Sequence, residues 1–208
     1  MDFVLIGTFG DLGFQICQQF LEEGYSIEHA DIVDGWMEKV KDERRMWVER
    51  NSNFEPFSGF SSLPEKRCKI ILPCSDWSSF PEEEQALLME QVSKFLEKVV
   101  EANPKEMTVS FIAAQDDPFT KRVSDFFKNG DFAKQIITYP QSFHLEEKRM
   151  DKGFSENPDQ IRRIFDIIVE MGEGNYELKD KEEKREVVST LEKQENSEMR
   201  DKQGKPSE

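Results

Sequence analysis

The chain has 208 residues, with 43 Asp and Glu against 28 Lys and Arg, giving a net charge of −15. So anionic a surface repels phosphate backbones and acidic lipid, which excludes nucleic-acid binding and attachment to acidic membranes. Three cysteines without paired spacing and only two histidines argue against a disulfide framework or a zinc site and suit a reducing, cytoplasmic setting.

The sequence starts directly with a strand, Phe3 to Ile6, and the basic region and cleavage site of a secretory signal are not seen there. That strand is wholly apolar, as in a parallel sheet covered on both faces. A helix is expected from about Gly10 to Glu23, because Leu12, Ile16 and Phe20 recur at a spacing of four, with Cys17 and Leu21 widening the stripe and Gly24 ending it. A second strand follows over Ser26 to Ile32, then a highly charged helix from Trp36 to Arg50. The turn-rich stretch NSNFEPFSGFSSLPEK leaves room for at most a short third strand. CKIILPCS reads as a buried strand ended by Pro73, and Ser79 to Glu82 as a capped helix start. The helix that follows puts Leu88, Val92, Phe95, Leu96 and Val99 on one face and stops before Pro104. EMTVSFIAA is the next strand, with a helix after it from about Phe119 to Lys128. AKQIITY is a further strand, and NPDQIRRIFDIIVEM a closing helix with Asn157 as its cap. No apolar run approaches the ~20 residues of a membrane span.

Strands alternating with helices predict an α/β fold, a Rossmann-like doubly wound parallel sheet with helices on both faces. One domain is expected over residues 1–172. Residues 173–208 read as a charged tail, disordered or loosely helical, since they bring few apolar side chains to offset the entropy of ordering.

The sharpest functional signal is the turn GTFGDLG, that is Gly7, Thr8, Phe9, Gly10, Asp11, Leu12 and Gly13, between the first strand and the first helix. A dinucleotide site needs a strand, a glycine-rich turn opening a helix, and an acidic residue about 20 positions on. Glycine lets the backbone approach a pyrophosphate, which the helix's free N–H groups hold, while the carboxylate accepts from the ribose hydroxyls. Gly7, Gly10 and Gly13 are spaced GxxGxxG, and Asp31 lies 18 residues after the last of them, at the end of the second strand. The competing reading is that the glycines serve only helix–strand packing. Asp11 stands in the helix's first turn, where it either satisfies the dipole and repels a pyrophosphate or points to solvent. Asp31 prefers a free 2′-hydroxyl and no arginine follows the turn in sequence, which favours NAD over NADP.

This register resembles the extended or atypical branch of the short-chain dehydrogenase/reductase superfamily, with Gly24–Tyr25 ahead of the second strand and Asp31 in step. KIILPCS, TVSFIAAQ and QIITYPQSF look like the family's fourth, fifth and sixth strands. The resemblance runs from about Met1 to Phe143 and is densest over the first 34 residues. It implies an NAD(P)-binding domain, with Lys121 on the nicotinamide ribose, and a homodimer as a family expectation. Family members use a serine after the fifth strand and a Tyr-x-x-x-Lys on the next helix for proton transfer. Here Ala113 and Ala114 stand at the serine position, and Asp117 stands four residues before Lys121 where tyrosine is expected. The resemblance therefore implies a catalytically degenerate member whose catalytic residues are not identified. Cys74 is read as a small buried thiol or a nucleophile, and Tyr139 and His144 as packing or substrate contacts. Three functions stay open: a dinucleotide-binding or regulatory module, an atypical NAD(P)-dependent oxidoreductase or epimerase-like enzyme, and a ligand-free protein-interaction domain.

Overall fold

The computed structural model describes residues 2–31, 38–57, 59–61, 68–78, 80–102, 107–115, 117, 119, 121–122, 125, 133–140 and 158–178. They form strands β1 (Asp2–Ile6), β2 (Ile27–Ala30), β3 (Phe54–Pro56), β4 (Cys68–Pro73), β5 (Met107–Ala114), β6 (Ala133–Tyr139) and β7 (Gly174–Glu177). The helices among them are α1 (Asp11–Glu22), α2 (Glu38–Val48), α3 (Glu82–Ala102) and α4 (Pro158–Glu170). All seven strands are parallel, in the order β3-β2-β1-β4-β5-β6-β7. This is the Rossmann-like α/β arrangement expected from the alternation of strand and helix patterns.

Period-two alternation along the strands divides the core between the two faces of the sheet. Phe3 and Leu5 of β1 join Ile71, Ile112 and Ile137 against α1 and α4, with Phe20 and Phe165 meeting edge to face at 4.8 Å. Val4 and Ile6 join Ile70, Leu72, Val109 and Phe111 against Val92, Phe95 and Val99 of α3. β4 is buried along its whole length, which is why CKIILP carries no alternation of polar residues apart from Lys69.

One difference from the sequence reading concerns the end of the sheet, and the expected fourth helix is described only in part. The sheet continues past Gly172, the expected domain boundary: GNYE pairs in register with β6 as β7, and Leu178 is buried. A four-residue, mostly polar edge strand carries no apolar run to betray it. Most of the helix expected over Phe119 to Lys128 lies outside the described residues, although the Lys121 amide donates to the Asp117 carbonyl in a helical turn. His144 and residues 179–208 also lie outside them.

Buried polar groups fix the C-terminus of α4 to the sheet. Lys69 Nζ donates to the carbonyls of Ile168 and Met171. Gln135, fully buried on β6, donates through Nε2 to Ile167, Met171 and Gly172 and accepts from the Ser110 hydroxyl at 2.6 Å. Together they satisfy carbonyls that a helix end leaves without intrahelical partners.

Candidate functional site

The strand order reverses between β1 and β4, so the crevice beyond their C-terminal ends is the topological switch point, where open parallel sheets bind ligands. The glycine turn, buried from Gly7 to Gly10, follows β1 at this point of the sheet. Gly7 adopts φ 98°, a left-handed conformation that glycine takes without steric cost. Gly10 is the N-cap of α1 and supplies no side chain to the helix's free amides. Gly13 packs so tightly on β1 that a Cβ there would meet the Gly7 carbonyl oxygen.

The amides of Leu12 and Gly13 are the ones a side-chain cap on Gly10 would satisfy. They are bound instead by a carboxylate 64 and 63 residues away. Leu12 N donates to Asp76 Oδ1 at 3.0 Å and Gly13 N to Asp76 Oδ2 at 2.9 Å. Asp76 sits on a short 3-10 turn, Cys74–Trp77, that follows β4 across the switch point. A Cβ on Gly10 would fall 2.2 Å from Asp76 Oδ2, so the bare glycine is what admits the carboxylate. Burial raises the Asp76 pKa from 3.8 to about 7 and Asp11 adds to the rise, while the two amides and Arg44 oppose it.

The remaining residues of the turn divide between packing and the crevice mouth. Thr8 is buried and its hydroxyl donates to the Leu5 carbonyl. Phe9 is a core residue, edge-on to His29 and Phe54, so a ligand could meet it only through its main chain. Arg44 of α2 donates to the Phe9 carbonyl and to Asp11 Oδ1, tying α2 to the turn. Asp31 follows β2 and is exposed, with Lys41 Nζ 2.6 Å from its Oδ2. His29 stacks on Phe54 at 3.9 Å, and burial together with Arg45 lowers its pKa to about 4 despite Asp31. Lys121 does not join this group: its side chain is exposed on the turn after β5, two strands from β1 in the sheet.

Farther along the crevice, Ala113 and Ala114 end β5 without a hydroxyl. Cys74 is fully buried, and burial, Asp76 and Asp117 all raise its pKa, which disfavours a thiolate. Tyr139 ends β6 and is buried, with its pKa raised chiefly by burial and lowered in part by the adjacent Ser75 hydroxyl. The Ser75 and Tyr139 side chains therefore meet at the ends of β4 and β6. Ser75 Oγ still lacks a hydrogen bond of good geometry.

Sequence reasoning missed Asp76, Arg44 and Ser75. A capping residue adjacent in sequence is a local signal, whereas Asp76 reaches the helix only through the pairing of β4 with β1. The basic residues 41, 44 and 45 at helical spacing were the available hint for Arg44. Among the described residues, no group of three His, Cys, Asp or Glu side chains is placed to hold a metal ion, and no helix is long and apolar enough to cross a membrane.

No protein-family model and no curated sequence matches the chain. Solved structures do. The carbonyl reductase from Pseudomonas aeruginosa PAO1 matches with a TM-score of 0.51 at 10% identity, covering 85% of this chain and 95% of that one. Its complex with NADP matches with a TM-score of 0.50 at 10% identity. Serine dehydrogenase from Escherichia coli matches with a TM-score of 0.50 at 10% identity, covering 89% of this chain and all of that one. At such identities the likeness shows the fold alone: this chain has the Rossmann-like α/β fold of these two enzymes.

Proposed function

We propose that the protein is a short-chain dehydrogenase-like dinucleotide-binding or regulatory module that lacks the usual Ser/Tyr proton-transfer pair. The observation that carries this reading is the pair of main-chain amides, Leu12 and Gly13, at a glycine-bounded helix start at the switch point. They already hold an anion, the Asp76 carboxylate, in hydrogen-bond geometry. In a bound dinucleotide these amides and the Gly7–Gly13 turn face the pyrophosphate, and Asp31 accepts from the adenosine ribose. Lys121 is assigned the nicotinamide ribose on family resemblance alone. The NADP named with the Pseudomonas reductase belongs to that protein; here Asp31 favours NAD, and Lys41 beside it moderates that preference. Ala113, Ala114 and Asp117 at the usual catalytic positions support a binding role over hydride-transfer chemistry.

Calorimetric titration with NAD, NADH and NADP tests the reading. Saturable binding of NAD that weakens several-fold in Asp31→Ala is expected. Absence of binding by all three at millimolar concentration, in wild type and in a variant whose Asp76 carboxylate is removed, would overturn it.

A second reading is a ligand-free interaction domain, and one observation favours it. The amides that a ligand needs are satisfied within the chain by Asp76, so the fold is complete without a nucleotide.

A further inference from the structure

We infer that Asp76 is a built-in competitor for the diphosphate seat, an autoinhibitory contact that an incoming dinucleotide must displace. This rests on reading the α1 N-terminus as that seat, and it adds what regulates entry to it. Three observations converge. Both Asp76 oxygens are engaged by N2 and N3 amides of α1, so an external phosphate and Asp76 cannot use the same donors together. Gly10 leaves no room for even a methyl group beside Asp76, so carboxylate and phosphate cannot lie side by side there. The third observation is that the turn carrying Asp76 is incompletely bonded. Trp77 Nε1 is buried in it without a hydrogen-bond partner, and the bonds that the Ser75 and Trp77 carbonyls accept come from Ser78 and Phe80 of the same segment, which would move with it.

The charges around the contact set its strength. Asp11 on α1 lies near the carboxylate and Arg44 on α2 opposes its repulsion, while Cys74 of the same turn and Tyr139 of β6 feel its charge together with that of Asp117, beyond β5. The net effect of burial and acidic neighbours is a carboxylate held against its own desolvation. Such a group can be exchanged for a ligand phosphate that brings partial solvation with it.

The test uses the full chain, with inorganic pyrophosphate and NAD as separate probes at pH 8. In Asp76→Ala, affinity for both is expected to rise by at least about tenfold, equivalent to ~1.4 kcal/mol. The Leu12 and Gly13 amide resonances should shift on adding pyrophosphate to the variant. Asp76→Asn, nearly isosteric, reports the same effect if the alanine variant does not fold. Pyrophosphate gained without any NAD binding supports the competitor while removing the dinucleotide reading. NAD bound equally by wild type and variants keeps the dinucleotide reading and overturns the competitor. No gain of pyrophosphate by either variant also overturns it.

Discussion

Gly13 and Gly7 are in contact so close that a methyl group on Gly13 would lie 2.1 Å from the Gly7 carbonyl oxygen. The obstacle is backbone at a buried strand end, not the tip of a flexible side chain. Gly13→Ala is therefore expected to destabilise the fold by about 2–3 kcal/mol through overpacking. Chemical denaturation of the variant measures this, and a change within a few tenths of a kcal/mol would mean that α1 and β1 are not so tightly joined.

Gly10 presents the contrasting case. Its added methyl would strike Asp76, a side chain, at 2.2 Å. Gly10→Ala and Asp76→Ala should consequently be strongly non-additive: the glycine substitution costs stability in wild type and costs much less once the carboxylate is gone. A double-mutant cycle reads the coupling, expected at about 1 kcal/mol or more. Additive effects would separate the two residues.

Asp76 gives a pH dependence of defined sign. Its pKa is about 7 in the folded chain against 3.8 ordinarily, so between these values the folded state binds more protons than the unfolded one. This group's contribution to stability accordingly falls as pH rises from about 4 to about 7, and its penalty is fully present above pH 7. Asp76→Asn, whose amide nitrogen cannot accept from one of the two N–H groups, should be the less stable of the two near pH 4 and gain on wild type as pH rises to 8, seen as a pH-dependent gap in Tm. A gap that does not change with pH would remove the buried charge as its cause.

The end of α4 depends on Gln135. Gln135→Met leaves the Ser110 hydroxyl without its acceptor and withdraws Nε2 from three carbonyls. A loss of about 2–4 kcal/mol is expected, from buried polar groups deprived of partners. Amide exchange should quicken first in α4 and β7, which the same residue helps to join. Uniform quickening over the whole sheet would assign Gln135 a different role.

The three cysteines, all buried and free, should be inert to thiol reagents in the native protein. Burial pushes the Cys17 pKa up to about 12 and raises that of Cys74 as well. Titration with a chromogenic disulfide should detect almost no thiol until denaturant is added, and then all three. Rapid reaction of one thiol in the native state would contradict its burial.

The alternation of apolar strands with amphipathic helices was sufficient to predict the α/β class and most element positions. Burial on both faces writes continuous apolar runs such as FVLI and IIL, and helix faces write spacings of three and four. AKQIITY was legible to the residue as β6, whereas GNYE was not, because an edge strand of four residues is held by main-chain pairing that leaves no mark on side-chain type. The glycine turn was likewise legible, since backbone conformation and close approach demand glycine locally. What fills the turn was decided only by tertiary structure. Asp76 meets Leu12 and Gly13 because parallel pairing of β1 with β4 brings their following loops together, and Arg44 meets Asp11 because the fold sets α2 beside the start of α1. A carboxylate carries no sign in sequence of which helix end it will cap; chain topology supplies that partner.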